Sequence, residues 1–238
     1  MKLTAWLFSL IASLGAAPRE QPLTAVRLDP RRDRLELFLR DETGKPFHTL
    51  PRLAAWLAAR GRQLRLGMNA GMYEPDFSPV GLLVIDGKEI APLNLREGRG
   101  NFYLKPNGVF LLGAAGAQIV EASAYPSVAA GVRLATQSGP LLLQQGRVHP
   151  QLDPQSTSRH VRNGVGICGG EVVFAISPQK LSLYEFARRL RDELGCETAL
   201  YLDGSVSSLY SPALGRSDAR HRLGPLLGVV DAKDSAQQ

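Results

Sequence analysis

The sequence predicts a single α+β domain in which about ten strands outnumber two helices. Short segments that alternate apolar and polar residues recur along the chain, separated by Gly, Pro, Asn and Asp. Only two segments have the apolar spacing of an amphipathic helix. No linker, repeat or low-complexity block divides residues 23–231. We therefore expect one domain over this range, with a twisted mixed sheet as its core and the two helices at its flanks.

Residues 1–17 have the layout of a secretory signal peptide. Lys2 precedes an uncharged apolar run from Leu3 to Leu14, which is followed by Gly-Ala-Ala. The run is too short to span a bilayer as a mature helix, and an uncleaved N-terminal anchor is the alternative. We expect a secreted protein, located in the bacterial periplasm, with a flexible tail over residues 232–238.

The first elements are predicted to be a hairpin, a helix and a strand. The segments "LTAVRLD" and "RLELFLRD" alternate in polarity around "PRR", which is typical of a hairpin. In "PRLAAWLAARG", Pro51 suits the first turn of a helix and Gly61 suits its end. The strand "LRLGMNAGMY" then breaks at Asn69.

The remaining elements are mostly strands. "PVGLLVIDGKEI" is predicted to be a hairpin with an Asp-Gly turn, and "NFYLKPNGVFLLG" a second hairpin turned at its Pro-Asn-Gly. "GVRLATQSGPLLLQQGRV" and "NGVGICGGEVVFAIS" continue the pattern. The second helix is "SLYEFARRLRDELG", in which Ser182 and Glu185 form a capping box and Gly195 ends the helix. "ETALYLDG" and "PLLGVVDA" are the last strands.

Charge and cysteine content limit the possible classes of function. The net charge of +6 comes from basic residues scattered along the chain, which argues against a nucleic-acid partner and supports a mild attraction to anionic substrates or envelope surfaces.

Cys168 and Cys196 permit one disulfide in a secreted chain, although two unbonded, buried thiols at adjacent strand ends would give the same sequence pattern. No CxxC or HExxH spacing occurs, so no cofactor is predicted, while clustered Asp, Glu and Asn oxygens leave a Ca²⁺ or Mg²⁺ site open.

Polar residues stand next to glycine at the ends of five predicted strands. If these ends converge, they form a pocket lined by amides, hydroxyls and a carboxylate, which suits the many hydroxyls of a sugar. The alternative is that a strand-rich chain needs many turns and builds them from the same residues. The pairs are Asn69 and Gly71, Asn107 and Gly108, Ser138 and Gly139, Asn163 and Gly164, and Asp203 and Gly204.

Five motifs occur in the same order as in a known family. They are "MNAGMYEPDFSPVGLLVIDG", "NFYLKPNGVF", "ATQSGPLLL", "RHVRNGVGI" and "LGCETALYLDGSVSSLY". Over Leu64 to Tyr210 the chain thus resembles the phosphodiester glycosidase domain family, and in particular its small secreted bacterial members. The resemblance implies hydrolysis of the bond between a sugar's anomeric carbon and a phosphodiester, in envelope or extracellular glycoconjugates.

The resemblance also directs attention to three carboxylates. Asp203 is the first candidate for the group that stabilises an oxocarbenium-like transition state and delivers water. The family usually has Asp-Gly-Gly-Gly-Ser-Ser there, whereas this chain has Asp-Gly-Ser-Val-Ser-Ser, so two glycines that would let the backbone approach substrate are missing. Asp76, and after it Glu74, is the candidate for a second catalytic carboxylate, and either is equally explained as a surface turn residue.

A phosphodiester also needs cations. Arg162 stands where family members carry an Arg before a small-residue strand, with Arg159 and His160 as neighbours, and a guanidinium can bind two phosphate oxygens. The alternative is an Arg paired with a surface acid. A non-catalytic saccharide-binding or envelope-maintenance protein on the same fold is the alternative function. The predicted substrate-binding residues are Asn69, Gly71, Tyr73, Asn107, Ser138, Arg159, Arg162, Asn163, Gly204, Ser205 and Ser207.

Overall fold

The computed structural model describes residues 21–232 and confirms the α+β class. The predicted signal peptide lies outside the described residues, as does the predicted tail apart from Ala232, which ends the last strand. Within the described range there are sixteen strands, two α-helices and three short 3₁₀ turns. No helix among these residues is long and apolar enough to cross a membrane.

The helices are α1 (Leu50–Ala58) and α2 (Leu183–Asp192), and the 3₁₀ turns span Asn101–Tyr103, Ala122–Ser127 and Pro212–Leu214. The strands, in chain order, are β1 (Thr24–Leu28), β2 (Leu35–Phe38), β3 (Arg62–Asn69), β4 (Leu83–Ile85), β5 (Lys88–Ala91), β6 (Gly108–Gly113), β7 (Gly116–Glu121), β8 (Val132–Ser138), β9 (Leu141–Gln144), β10 (Arg147–Val148), β11 (Asn163–Cys168), β12 (Glu171–Ile176), β13 (Cys196–Tyr201), β14 (Leu209–Ser211), β15 (Arg216–Ser217) and β16 (Leu226–Ala232).

The strands form three sheets rather than one mixed sheet. The first has the order β1-β12-β11-β13-β9-β10, the second β15-β14-β3-β16-β2 and the third β5-β4-β8-β6-β7. Every pairing between these strands is antiparallel. The sequence pattern cannot distinguish a mixed sheet from antiparallel sheets, because buried strands of both kinds are continuously apolar.

One apolar core joins the three sheets, and each helix covers the outside of one of them. Met68 of the second sheet, Phe110 of the third and Phe174 of the first belong to the same buried cluster. The rings of Phe110 and Phe174 meet edge to face, with centroids 5.8 Å apart. Helix α1 packs on the second sheet and α2 on the first, so the strand ends of all three sheets can meet at one place.

The predicted hairpin of the first two strands is wrong. β1 pairs with β12 and β2 pairs with β16, so the two strands lie in different sheets. The connecting loop is closed on itself, since the backbone N–H of Asp33 donates to the carbonyl of Asp29 and the side chain of Asp33 accepts from the N–H of Asp29. This loop leads the chain out of one sheet and into another.

The hairpin predicted to turn at Pro106-Asn107-Gly108 is also wrong, whereas the hairpin predicted at the Asp-Gly turn is confirmed. Residues Asn101–Tyr103 form a 3₁₀ turn, and β6, which follows, pairs with β7 and β8. Asn107 does not turn a hairpin, because its buried amide donates to the carbonyl of Phe102 at 2.8 Å and fixes the approach to β6. β4 and β5 pair through Asp86 and Gly87, both at positive φ.

The helix signals are confirmed, and the two cysteines form a disulfide. Ser182 and Glu185 make the capping box of α2, and Gly195 follows that helix at a φ of 71°. Cys168 at the end of β11 and Cys196 at the start of β13 are bonded. The bridge lies under α2 in a buried apolar cluster and ties together the two central strands that lead to the candidate site.

Candidate active site

The ends of strands from all three sheets meet around Asp203. Asp203 follows β13, and Asn163, which begins β11, is its neighbour in the same sheet. Asn69 ends β3 of the second sheet and Ser138 ends β8 of the third. The hydroxyl of Ser138 donates to the carbonyl of Leu202 at 2.7 Å, which joins the third sheet directly to the strand that carries Asp203.

Two fully buried asparagines hold the backbone on both sides of this carboxylate. The Nδ2 of Asn163 donates to the Oδ1 of Asn69 at 2.9 Å, and the Nδ2 of Asn69 donates to the carbonyl of Asp203 at 3.2 Å. The Oδ1 of Asn163 accepts the N–H of Asp203 at 3.1 Å, and the Oδ1 of Asn69 accepts the N–H of Ser208 at 3.0 Å. These amides satisfy backbone groups that face away from water, so they position the loop.

The hydroxyl of Ser207 completes this internal network. Its Oγ lies 3.0 Å from the carbonyl of Val161, 3.2 Å from the Oδ1 of Asn163 and 3.2 Å from the carbonyl of Asp203. Ser205 is exposed, and its backbone N–H donates to the Asp203 carboxylate at 3.1 Å. The loop from residue 203 to residue 208 is therefore rigid at its base and presents Ser205 to solvent.

Asp203 is a carboxylate that ionises near neutral pH. Burial raises its pKa from 3.8 to about 6, against the opposing effects of the Ser205 N–H and of the charges of Arg162 and His221. A carboxyl group whose pKa is close to the working pH can exchange protons during a reaction, whereas an exposed aspartate at the same pH stays ionised.

Arg162 is buried behind Asp203, where its guanidinium is fixed by three acceptors. Its Nε donates to the carbonyl of Leu181 at 3.0 Å, its Nη1 to the hydroxyl of Tyr201 at 2.8 Å and its Nη2 to the carbonyl of Ser158 at 2.8 Å. Three of its five N–H groups are thus used within the protein. Arg162 is only 3% exposed and does not line the pocket described below, so its charge acts on Asp203 from a fixed position inside the protein.

Gly204 fits between these groups because it has no side chain. A Cβ at this position would lie within contact distance of the Tyr201 hydroxyl and 2.9 Å from the Cδ of Arg162. The N–H of Gly204 donates to the same Tyr201 hydroxyl that accepts from Arg162. The glycine after Asp203 is therefore required by packing, and the two family glycines missing after it lie beyond this tight contact.

A pocket of about 520 Å³ opens at the loop that follows Asp203, with Gly204 and Ser205 in its lining and the Asp203 side chain just outside it. Its floor includes the loop after Asp203, and its wall includes the segment 216–221, whose "RSDARH" combines three basic residues with an aspartate. The sequence reasoning did not assign a role to this segment, although its density of basic residues directly after the Asp203 motif was a signal. The lining residues are His160, Val161, Lys180, Gly204, Ser205, Ser207, Ser208, Arg216, Ser217, Asp218, Ala219, Arg220 and His221.

Neither Asp76 nor Glu74, the other two candidate carboxylates, lies next to this pocket. Asp76 is exposed, and its Oδ1 accepts from both the N–H and the hydroxyl of Ser78, which lowers its pKa. Glu74 is also exposed, and its backbone closes the same turn through bonds with Phe77 and Ser78. Both residues have the geometry of a surface turn.

Tyr73 lies between this turn and the site. Its hydroxyl donates to the carbonyl of Arg222 at 2.6 Å, and its ring stacks on Phe77 with centroids 5.5 Å apart. Burial and the nearby charge of Asp203 raise its pKa. Tyr73 thereby anchors the end of the segment that forms the pocket wall.

The remaining predicted residues pack around the site without lining the pocket. A Cβ on Gly71 would lie 2.9 Å from the hydroxyl of Thr136, so this glycine permits the third sheet to approach β3. Arg159 forms an ion pair with Glu185 of α2 at 2.5 Å and is therefore used within the protein surface. No group of three His, Cys, Asp or Glu side chains in residues 21–232 could hold a metal ion.

Comparison with known proteins shows similarity across most of the chain. A family model described as phosphodiester glycosidase matches residues 62–223. The uncharacterized protein YigE of Escherichia coli K12 is 35% identical over 187 residues, which cover 78% of this chain and 73% of that protein.

Solved structures share the fold at low sequence identity. The zebrafish N-acetylglucosamine-1-phosphodiester alpha-N-acetylglucosaminidase catalytic domain, auto-inhibited by its pro-peptide, superposes with a TM-score of 0.62 at 15% identity, covering 86% of this chain and 75% of that one. A hypothetical protein from Synechocystis gives a TM-score of 0.52 at 17% identity, over 87% and 59% of the two chains. A putative exported protein from Burkholderia pseudomallei gives 0.51 at 14% identity, over 86% and 73%.

Proposed function

The chain belongs to the phosphodiester glycosidase family, and from this premise we propose that it is a secreted hydrolase of glycosyl-1-phosphodiester bonds in envelope or extracellular glycoconjugates. The observation that carries the proposal is the position of Asp203, a part-buried carboxylate with a pKa of about 6, next to a pocket rich in basic side chains. By similarity of fold to the zebrafish enzyme, a 1-linked N-acetylglucosamine is the first sugar to test.

The pocket supplies what this reaction requires. The bond between the anomeric carbon and the phosphate oxygen breaks, and the phosphate leaves as an anion that needs little protonation. Basic side chains in the pocket stabilise the leaving phosphate, and the ionised Asp203 accepts a proton from the water that attacks the anomeric carbon. The negative charge of Asp203 also stabilises the oxocarbenium-like transition state.

Separate observations support the proposed position in the cell. A disulfide persists in oxidising compartments and is uncommon in the bacterial cytosol, and the described chain contains one between Cys168 and Cys196. Together with the signal-peptide layout of residues 1–17, this supports export to the periplasm.

The test is hydrolysis of a panel of sugar-1-phosphodiesters by the purified protein, measured as release of the phosphomonoester. Asp203→Asn should reduce turnover by at least about a hundredfold, in line with loss of a general base. Asp86→Asn is the matched control, because it makes the same chemical change at an exposed turn. If the wild type turns over no member of the panel and Asp203→Asn binds the same glycans equally well, the saccharide-binding alternative replaces the hydrolase.

A further inference from the structure

The pocket beside Asp203 carries more positive charge than a single phosphodiester neutralises. Lys180, Arg216 and Arg220 line it as permanent cations, whereas Asp218 is its one lining carboxylate. Arg216 and Asp218 pair with each other, with the Nη2 and Oδ2 atoms 2.9 Å apart. The three cations and the carboxylate leave a net charge of +2, before any contribution from the two lining histidines.

The charge of Asp203 does not offset this excess. Asp203 and the buried guanidinium of Arg162 interact electrostatically, and together they are neutral when Asp203 is ionised. A phosphodiester carries one negative charge, so one positive charge in the pocket is left without a counter-charge. An uncompensated cation in a polar pocket attracts a further anion.

We propose that the natural substrate carries a second anionic group, a phosphate or a carboxylate, on the part released with the phosphate, and that Lys180 and Arg220 bind it. This inference rests on the proposed function and specifies its class of substrate. Both side chains are exposed, and neither has a hydrogen-bond or ion-pair partner within residues 21–232. A ligand can therefore contact them without breaking an existing interaction.

The segment that carries Arg220 is held in place at both ends. Asp218 accepts the backbone N–H of Leu209 at 2.9 Å, and the carbonyl of Arg222 accepts the hydroxyl of Tyr73 at 2.6 Å. The guanidinium of Arg222 stacks over the ring of Phe77 at 4.7 Å. Because its neighbours are fixed, the backbone at Arg220 is already ordered before a ligand binds, which reduces the entropic cost of binding.

The uncharged part of the pocket lining also favours an anionic group over a sugar ring. It contains Ser205, Ser207, Ser208 and Ser217 and no Phe, Tyr or Trp. The hydroxyls of Ser207 and Ser208 donate to backbone carbonyls, whereas those of Ser205 and Ser217 have no hydrogen-bond partner within residues 21–232 and can donate to phosphate or carboxylate oxygens. Sugar rings, by contrast, commonly stack on the faces of larger aromatic side chains.

The experiment compares the methyl phosphodiesters of glycerol 3-phosphate and of 3-phosphoglycerate as probes of the wild-type protein, by calorimetry at about pH 7 and low salt. The two probes share a three-carbon skeleton and a phosphodiester with one negative charge, and only the second has a carboxylate. We expect the diester of 3-phosphoglycerate to bind about tenfold more tightly, because its carboxylate adds one charge contact to the pocket. The preference should weaken as salt is raised and should vanish in the double variant Lys180→Gln, Arg220→Gln.

Lys88→Gln, at an exposed position in β5, is the control and should keep the preference. Equal binding of the two probes, no binding of either, or a preference that survives in the double variant would overturn the proposal. Neither probe has a glycosidic bond, so the result is independent of catalysis. Hydrolysis of sugar-1-phosphodiesters by a protein without this preference would leave the proposed function intact and reject the second anionic group alone.

Discussion

Arg162 donates a hydrogen bond from its Nη1 to the hydroxyl of Tyr201 at 2.8 Å, and the same hydroxyl accepts the N–H of Gly204. The phenol thus connects the buried cation to the backbone directly after Asp203. Since the guanidinium also donates to two backbone carbonyls, its position relative to Asp203 is fixed by the fold. Substitutions at this contact should therefore act on stability and on the site together.

Gly204→Ala is expected to destabilise the protein and reduce its activity. The added methyl group would overlap the Tyr201 hydroxyl and approach the Cδ of Arg162 at 2.9 Å, both of which are buried. Overpacking of this kind costs about 1–3 kcal/mol. Thermal melting and kcat/KM measure the two effects. Ser205→Ala is the control for folding, because it keeps the N–H that bonds to Asp203. A Gly204→Ala variant that melts at the wild-type temperature would show that the tight contact with Tyr201 and Arg162 does not exist.

Asp203→Asn is expected to stabilise the folded protein at pH 7 while it abolishes turnover. The folded-state pKa of about 6 exceeds the ordinary aspartate value of 3.8, so between these values the folded state binds more protons than the unfolded state. The contribution of Asp203 to stability therefore falls as pH rises from about 4 to about 6 and stays low above that. Removing the buried charge should restore roughly 1–3 kcal/mol.

Denaturant unfolding of both proteins at pH 4 and pH 7 tests this difference. The gain from Asp203→Asn should be present at pH 7 and small at pH 4, where the wild-type carboxyl is protonated in the folded state. An equal gain at both pH values would mean that the carboxylate is not destabilised by burial.

Asp76→Asn is expected to change turnover by no more than about twofold, as is usual for surface substitutions away from a site. The motif resemblance favoured Asp76 as the second carboxylate, but its side chain is exposed and caps its own turn through Ser78. An asparagine can keep the bond from the Ser78 N–H. A loss comparable to that of Asp203→Asn, measured as kcat on the same substrate, would show that the turn reaches the reacting centre during catalysis.

Reduction of the disulfide is expected to lower stability without changing the chemistry of the site. Cys168 and Cys196 are 28 residues apart, and a loop of this size corresponds to about 2–4 kcal/mol in the unfolded-state entropy model. The bridge packs under α2 and does not line the pocket. Melting of the Cys168→Ser, Cys196→Ser double variant gives the cost, and its KM at a temperature where it is folded should match wild type.

The sequence was sufficient for the helices and for the strand that ends just before Asp203, because both depend on local signals. The capping box of α2 and the glycine after Asp203 can each be recognised within a few consecutive residues. The sequence does not predict that Asn69 and Asn163 support the backbone around Asp203. Their amides bond to each other across 94 residues and between two sheets, and no local pattern reports such a contact. The partner of β1 was missed for the same reason, as a loop closed on itself separates it from β2.

The pH dependence of the reaction tests the role of Asp203 most directly. An ionised carboxylate is required both to accept a proton from water and to stabilise positive charge at the anomeric carbon. With a pKa of about 6, kcat/KM should fall about tenfold per pH unit below pH 6 and level off above it. Profiles of the wild type over pH 4.5–8.5, flanking this pKa, measure this. A rate that instead declines above pH 6 would assign Asp203 as the general acid, with the proton delivered to the leaving oxygen.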